Sequence, residues 1–184
     1  MEHTLTFVAS KFLSTAVVDE RNQTVYMIST ERKHMRKVLT SVCEDEKREA
    51  VWAEIRWRDK SFVINGQSVP WDRMKVERRV TRPRVWHWAG RQYVVTYRKK
   101  VGWVVTEVQS DCRVVGTLVP RNSHLFSESE PAICRVWVQD LYADQATFIF
   151  LVLLYSEARR IKSKRKWHVT VGALIKVALC VVIF

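Results

Sequence analysis

The stretch DQATFIFLVLLYSEARRIKSKRK, residues 144–166, decides the fold because it joins a solid apolar block to a dense basic one. Asp144 at its start and the basic residues at its end suit the two poles of a helix dipole. The sequence therefore predicts a helix over about residues 145–160, with Asp144 as its N-cap. Every residue from Phe148 to Tyr155 is apolar or aromatic. A helix that lacks a polar face has to be buried on all sides.

The length of this block excludes a membrane span. Residues 146–155 would form about 15 Å of helix at 1.5 Å per residue, whereas the hydrocarbon core of a bilayer is about 30 Å thick. A helix lying on a membrane surface needs the polar face that this block lacks. We therefore expect the protein itself to enclose the helix, and a closed sheet is one structure that can do so.

The preceding chain supplies the strands for such a sheet. Apolar and charged residues alternate in VWAEIRWRD, residues 51–59, as in a strand that is covered on one face, and Trp52 interrupts this alternation. Asn65-Gly66 stands between two apolar runs and predicts a hairpin with a type I′ turn. Similar runs recur at residues 4–8, 16–19, 24–30, 84–88, 91–98, 102–108, 112–119 and 133–139. Residues 30–50 are ambiguous between a short helix and a long strand connection.

The number and spacing of these runs indicate a mainly β protein, a sandwich or barrel of about ten to twelve strands, and not alternating βαβ units. At 184 residues the chain is long enough for one hydrophobic core. Its formal net charge of +12 favours anionic partners such as phospholipid or nucleic acid, although a basic protein can also be merely soluble and basic.

The cysteines and the N-terminus indicate a compartment. Cys43, Cys112, Cys134 and Cys180 form no CxxC pair, so they suggest neither a zinc site nor a disulfide framework, and a reducing compartment fits best. The N-terminal segment has no long apolar run of the secretory kind. We expect a cytoplasmic protein, with association to the cytosolic face of a membrane as an option.

Four ordered stretches carry a family resemblance. They are LTFVASKFLSTAVVDERNQTVYMIST (5–30), AEIRW (53–57), WAGRQYVVTY (88–97) and ICRVWVQDLYADQATFIFLVLLYSEARRIKSK (133–164). Together they resemble an uncharacterised, mainly fungal domain family of the tubby C-terminal-like superfamily, which also includes tubby proteins, phospholipid scramblases and plant LURP-related proteins. The resemblance implies a closed antiparallel barrel of about twelve strands around a central hydrophobic C-terminal helix. It implies no chemistry, since members of the superfamily range from phosphoinositide binding to roles in lipid movement.

The domain so defined covers residues 1–166, and residues 167–184 form a hydrophobic tail. Residues 169–184 carry one charge, Lys176, and would reach about 24 Å as a helix, which is short of a full span. Basic residues directly before an apolar C-terminal stretch fit the positive-inside rule. The tail is therefore a marginal membrane anchor, an extra strand or helix packed on the barrel, or a sequence foreign to the domain.

Basic residues are the candidate site. The block RRIKSKRK, residues 159–166, and the predicted turn YRKKVGW, residues 97–103, could attract anionic lipid or nucleic-acid phosphate, or could simply be solvated. The candidate lipid-binding residues are Arg159, Arg160, Lys162, Lys164, Arg165, Lys166, Arg98, Lys99 and Lys100. A third group, Arg78, Arg79, Arg82 and Arg84, reads more simply as solvated loop charge. The phosphoinositide motif of tubby proteins cannot be matched here residue by residue.

The remaining patterns argue against catalysis. The five histidines are scattered without metal-ligand spacing, and no phosphate loop or nucleophile elbow occurs. The eight tryptophans, interleaved with arginine, suggest either base stacking or a barrel wall. We predict a non-enzymatic protein without a cofactor that binds an anionic phospholipid or membrane surface. The alternatives are a nucleic-acid-binding β protein and a protein-interaction or structural barrel without a lipid ligand.

Overall fold

The computed structural model describes residues 2–9, 11–34, 36–44, 50–76, 83–108, 112–121, 130–137 and 143–181, with side chains in the last range up to Ser163. These residues form thirteen strands and two helices. The strands are β1 (Glu2–Phe7), β2 (Thr15–Val18), β3 (Thr24–Lys33), β4 (Arg36–Glu44), β5 (Ala50–Arg56), β6 (Ser61–Ile64), β7 (Gln67–Pro70), β8 (Lys75–Val76), β9 (Arg84–Trp88), β10 (Arg91–Arg98), β11 (Gly102–Glu107), β12 (Arg113–Val119) and β13 (Ala132–Trp137). The helices are α1 (Trp71–Met74) and α2 (Ala143–Val181).

All thirteen strands belong to one antiparallel sheet, so the prediction of a mainly β protein is confirmed. Strands that follow each other in the chain pair with each other throughout β1 to β7 and again throughout β8 to β13. One long-range ladder joins the two halves, because β1 pairs with β13 from Glu2 opposite Trp137 to Phe7 opposite Ala132. The predicted strands are thus present, and their order is a simple meander.

The prediction that this sheet closes into a barrel is wrong. Its two edges are β7 and β8, and no ladder joins them within the described residues. An odd number of strands in purely antiparallel order leaves both edges running in the same direction. A parallel pair needs a crossover of a dozen or more residues, whereas α1 supplies only four. Pro70, which has no N–H to donate to a ladder, ends the edge strand β7.

The opening is covered by the one-turn helix α1. The indole ring of Trp71 lies 4.7 Å from the ring of Tyr155 and 5.9 Å from that of Phe62, measured between centroids. Met74 at the other end of α1 is also buried. A gap in the hydrogen bonding of the sheet is therefore compatible with a continuous apolar enclosure.

The burial predicted for the apolar block is confirmed. All eight side chains from Phe148 to Tyr155 are exposed by at most 2%. Helix α2 packs against β5 and β6 on one side and against β11, β12 and β13 on the other. The approach to β12 is close, because a Cβ atom at Gly116 would lie only 2.6 Å from the Ile149 side chain. The helix is thus the core around which the sheet is arranged.

The ends of α2 differ from the prediction. The helix begins at Ala143, so Asp144 lies in its first turn and is not its N-cap. The Asp144 carboxylate instead accepts a hydrogen bond from the side-chain amide of Asn65. The helical backbone continues to Val181, well past the predicted end. The side chains of the tail lie outside the described residues, so the three interpretations of it stay predictions.

The predicted hairpin at Asn65-Gly66 is confirmed. Both residues have positive φ angles, 48° and 77°, as a type I′ turn requires, and they connect β6 to β7. Residues 30–50 are not helical where they are described, since β3 runs on to Lys33 and pairs with β4. The turn between these two strands contains His34 with a φ of 48°.

Two further observations concern compartment and membrane. Cys43, Cys112 and Cys134 are free thiols, and the first and third are buried. In the part of the chain that the structure describes, no helix combines the length and the hydropathy needed to cross a bilayer.

Candidate anion-binding surface

The order of the strands places alternate turns at the same end of the sheet. In an antiparallel meander the chain reverses at each turn, and the pairing of β1 with β13 carries this alternation from one half to the other. The turns β3–β4, β5–β6 and β10–β11 therefore lie at one end. Helix α2 starts after β13 at the opposite end and runs toward these turns.

Ring contacts show that two of these turns meet the exit of the helix. The Lys37 ammonium, just after the β3–β4 turn, lies 4.8 Å from the ring centroid of Trp57 in the β5–β6 turn. The ring of Trp57 stacks on Tyr155 of α2 at 5.8 Å. The guanidinium of Arg159 lies 6.0 Å from the same Tyr155 ring. One tyrosine of the helix thus joins Arg159 to the turns of the N-terminal half.

A buried carboxylate joins the third turn to the helix. Glu157, exposed by only 3%, accepts a hydrogen bond of 2.9 Å from the indole N–H of Trp103 and two of 2.6 Å from the guanidinium of Arg160. That guanidinium also lies 5.0 Å from the ring of Tyr97, next to the β10–β11 turn. Hydrogen bonding to Glu157 raises the pKa of Arg160. Arg160 is therefore a fixed structural cation that orients the end of the enclosed helix.

Exposed basic side chains surround this exit. We call the basic end the set of exposed Lys and Arg residues in the three turns and on α2. They are Lys33, Arg36, Arg58, Lys60, Arg98, Lys99, Lys100, Arg159 and Lys162. Among the described residues of these three turns, Asp59 is the one acidic residue. The arrangement produces a positive surface around the point where α2 leaves the sheet.

Two of the predicted groups come together in this structure. Arg98, Lys99 and Lys100 lie in the β10–β11 turn, as predicted, and the preceding residue Tyr97 contacts Arg160 of α2. Arg159 and Lys162 are exposed on the adjacent helix, whereas Arg160 is only 18% exposed and is paired with Glu157.

Other candidates lie outside the described part of the chain. This applies to the side chains of Lys164, Arg165 and Lys166, and to Arg78, Arg79 and Arg82. Arg84 is described and half-buried, with its guanidinium 6.0 Å from the ring of Trp103. The interpretation as solvated loop charge is wrong for Arg84, which lies in strand β9, whereas the roles of the other residues stay predictions.

Sequence reasoning missed four members of the basic end: Lys33, Arg36, Arg58 and Lys60. Lys33 and Arg36 stand in the basic run ERKHMRK, residues 31–37, but this run lies more than twenty positions from Arg58 and Lys60, and nothing local shows that the two stretches share a surface. The signal that could have found them is the direction of the strands, which decides at which end of the sheet each turn lies. Once the strands are taken as a meander, the turns that follow β3 and β5 have to share an end, and the antiparallel pairing of β1 with β13 adds the turn that follows β10.

Six of the tryptophans whose side chains are described belong to the core or pack against it. None of the seven whose side chains are described is exposed, and Trp86 and Trp103 are buried. Trp57, Trp71 and Trp86 all pack around Tyr155. The prediction that the tryptophans form a wall around the helix is confirmed for these three residues.

No family model matches the chain, and no curated protein matches it. Among solved structures, the X-ray structure of protein AT5G01750 from Arabidopsis thaliana is similar to this chain, with 12% sequence identity and a TM-score of 0.47. The likeness covers 86% of this chain and 91% of that one. At this identity and TM-score, the likeness supports no conclusion about the function of this chain.

Proposed function

We propose that this protein binds an anionic phospholipid surface through its basic end and has no catalytic activity. The observation that supports the proposal most is the meeting of the β10–β11 turn with the exit of α2, where Arg160 lies over Tyr97. This contact joins the β10–β11 turn, which carries Lys99 and Lys100, to the segment of α2 that carries Arg159 and Lys162. The rigid core beneath them holds these charges on one surface.

The expected energetics favour a surface over a single small ligand. Each Lys or Arg close to an anionic leaflet contributes about 1 kcal/mol, and the attraction falls off within a Debye length of about 8 Å at physiological salt. Charges that are spread around the whole protein would not act together at that range. Charges gathered at one end can contact the headgroups at the same time, so binding should be salt-dependent.

We also infer a distant relationship to the tubby-like family. Its support is the enclosed C-terminal helix of Phe148 to Tyr155 within an antiparallel sheet, the layout that the resemblance implies apart from barrel closure. Phosphoinositide binding by members of that superfamily makes a phosphoinositide a suitable test lipid. The residues of the tubby motif are not carried over, and the basic end is proposed from its own geometry.

The packing of the tryptophans makes nucleic-acid binding a weaker proposal than lipid binding. Single-strand nucleic-acid binding without sequence preference relies on aromatic rings that bases can stack on. Six of the seven described tryptophans belong to the core or pack against it, and none of the seven is exposed. Charge alone would still attract nucleic acid, so RNA serves as a competitor in the test.

Liposome flotation of the full chain tests the proposal. Vesicles of phosphatidylcholine are compared with vesicles that also contain phosphatidylserine or a phosphoinositide, at low and at physiological salt. The test variant is Lys99→Gln with Lys100→Gln, in the β10–β11 turn. Its matched control is Arg21→Gln with Arg113→Gln, two exposed arginines at the opposite end, which removes the same net charge.

We expect flotation only with the anionic vesicles, weakened by salt and by the lysine double variant, and unchanged by the arginine double variant. Equal loss in both variants would show a non-specific charge effect and would contradict a defined surface. Release from anionic vesicles by substoichiometric RNA would favour the nucleic-acid alternative. A chain ending at Lys166, which retains the whole enclosed part of α2, separates binding by the basic end from binding by the tail.

A further inference from the structure

A pocket lies at the end of the sheet opposite to the basic end, where α2 begins. Its volume is about 540 Å³, within the range of sites for small organic molecules. Strands β1, β3, β4 and β5, the turn β2–β3 and the first buried turns of α2 all contribute to its lining. The pocket shares no residue with the basic end, so a ligand could bind there whether or not the basic end binds lipid.

A β-bulge builds one wall of this pocket. In the ladder between β4 and β5, Val42 pairs with Ala53 and Cys43 pairs with Val51, so Trp52 is an extra residue without a partner. This is the physical reason for the interrupted alternation in the sequence. The bulge turns the indole inward, where it stacks on Tyr26 with 4.6 Å between ring centroids and 6° between ring planes.

A second bulge lies at the same end of the sheet, on the ladder between β2 and β3. Val17 pairs with Tyr26 and Val18 with Thr24, so Val25 is the extra residue of β3, and both Val25 and Tyr26 line the pocket. Bulges commonly re-aim side chains next to binding sites. Two of them at one end of the sheet, on the ladders that flank the β3–β4 pairing, each deliver residues to one cavity, which indicates a shaped pocket and not a packing defect.

The inner wall of the pocket is aromatic. The ring of Phe150 on α2 lies 5.9 Å from that of Tyr26 and 6.2 Å from that of Trp52. Tyr26 and Trp52 are only partly buried, so part of each ring remains accessible from the pocket. Aromatic rings of this kind attract organic cations through their quadrupoles, and ammonium groups are the typical ligands.

Carboxylates stand at the mouth of the pocket. Glu44 is exposed and lies opposite Tyr26 in the β3–β4 ladder. Burial, and secondly the charge of Glu44, raise the pKa of the Tyr26 hydroxyl. Within the described residues, no cation forms an ion pair with Glu44. Its negative charge is therefore available to a ligand.

The other charged groups at the mouth do not cancel this charge. Asp19 and Glu20 also line the pocket, together with His3 and Arg21. The Asp19 carboxylate accepts hydrogen bonds of 2.9 Å from the backbone N–H groups of Arg21 and Gln23, so it also holds the β2–β3 turn in place. Arg21 is exposed, and three carboxylates face it and His3.

We propose that this pocket binds a small organic cation with an apolar chain. Its ammonium group lies between the Glu44 carboxylate and the stacked rings of Tyr26 and Trp52, and its apolar chain contacts Phe150. A neutral molecule of the same shape would fill the cavity without the charge interaction. An anion would meet the carboxylates at the mouth, so the pocket selects for positive charge although the whole protein is basic.

Isothermal titration calorimetry of the full chain tests this assignment with three probes. The probes are hexyltrimethylammonium, the neutral alcohol 1-hexanol and the anion hexanoate, which all carry an apolar chain of similar length. The test variants are Glu44→Gln, which removes charge and keeps size, and Trp52→Leu, which removes the ring of the bulge. The control is Asp59→Asn, an exposed carboxylate at the basic end that changes the net charge equally.

We expect saturable binding of the ammonium probe that is about tenfold tighter than binding of the neutral or anionic probe. Glu44→Gln should weaken it about tenfold, Trp52→Leu should weaken it further, and Asp59→Asn should leave it unchanged. Equal affinity for the neutral alcohol would overturn the proposal, as would full ammonium binding by the Glu44→Gln variant. Absence of saturable binding up to millimolar probe would overturn it as well.

Discussion

The indole N–H of Trp103 donates a 2.9 Å hydrogen bond to the carboxylate of Glu157 and so ties strand β11 to helix α2. Glu157 is buried, and its two oxygens also hold the guanidinium of Arg160. A buried carboxylate is tolerated only when it is hydrogen-bonded and paired with a counter-charge. This cluster fixes the position at which the helix leaves the sheet.

The first prediction concerns this carboxylate. We expect Glu157→Gln to lower the free energy of unfolding by about 1 to 3 kcal/mol, because Arg160 would keep its partly buried position without a counter-charge. The matched control is Glu54→Gln, which breaks a surface pair with Arg56 and should cost less than about 1 kcal/mol. Urea denaturation of both variants measures the difference. Equal losses would mean that Glu157 has no special role.

The second prediction concerns the enclosure of α2. Ile149, Phe150 and Leu151 point to three sides of the helix, since successive residues are about 100° apart. Each is at most 2% exposed, so each change to Ala should cost about 2 to 5 kcal/mol in the free energy of unfolding. Ser163→Ala, at an exposed position of the same helix, should have little effect. If one of the three changes to Ala left the free energy of unfolding nearly unchanged, that face of the helix would not be enclosed.

The third prediction compares two glycines with positive φ. Gly66 has a φ of 77° and open space around its missing Cβ, so Gly66→Ala should cost about 1 kcal/mol from backbone strain alone. Gly102 has a φ of 89°, and a Cβ there would lie 2.3 Å from the backbone oxygen of Leu118. We expect Gly102→Ala to destabilise by about 3 kcal/mol or more, because a backbone atom cannot move aside cheaply. Thermal denaturation of the two variants ranks them, and the reverse order would refute this account.

The fourth prediction concerns alkaline pH. Burial, and secondly the charge of Glu107, raise the pKa of Tyr93 to about 12, whereas an unfolded tyrosine ionises near pH 10. Between these two values the unfolded state releases the proton first, so stability that is fully present below about pH 10 is lost as the pH rises toward about 12. Tyr93→Phe removes this contribution and should make the alkaline fall in stability shallower. Denaturation at a series of pH values from neutral to alkaline measures the slope for both proteins.

Other groups with raised pKa values are the same in both proteins and cancel in that comparison. The loss of the hydrogen bond between Gln145 and the Tyr93 hydroxyl lowers stability at every pH and does not change the slope. An identical slope in the two proteins would contradict the assignment.

The fifth prediction concerns thiol reactivity in a Cys180→Ser background. Cys112 is exposed and should react rapidly with a maleimide. Cys134 is fully buried, and burial raises the pKa of its thiol to about 12, so little thiolate is available for reaction. We expect mass spectrometry to find one labelled site in the native protein, and labelling of Cys43 and Cys134 only after denaturation. Rapid native labelling of Cys134 would show that its surroundings open readily.

Local sequence determined the elements of this protein and its buried centre. The unbroken apolar run from Phe148 to Tyr155 required enclosure, since no packing can leave one side of such a helix in water. Period-two alternation indicated the strands, and Asn65-Gly66 specified its turn, because these signals depend on neighbouring residues and on backbone conformations that few residues adopt. They could therefore be obtained without knowledge of the fold.

Only the tertiary structure decided closure, the pocket and the gathering of the basic turns. Whether β7 meets β8 depends on the number and direction of all thirteen strands, and Trp71 covers the opening that remains. The interruption at Trp52 is visible in the sequence, yet the role of the residue depends on the ladder with β4 and on the distant Tyr26. Lys33 and Lys60 join Lys99 at one end only because β1 pairs with β13. Such long-range pairing sets register and position, and no short stretch of sequence carries that information.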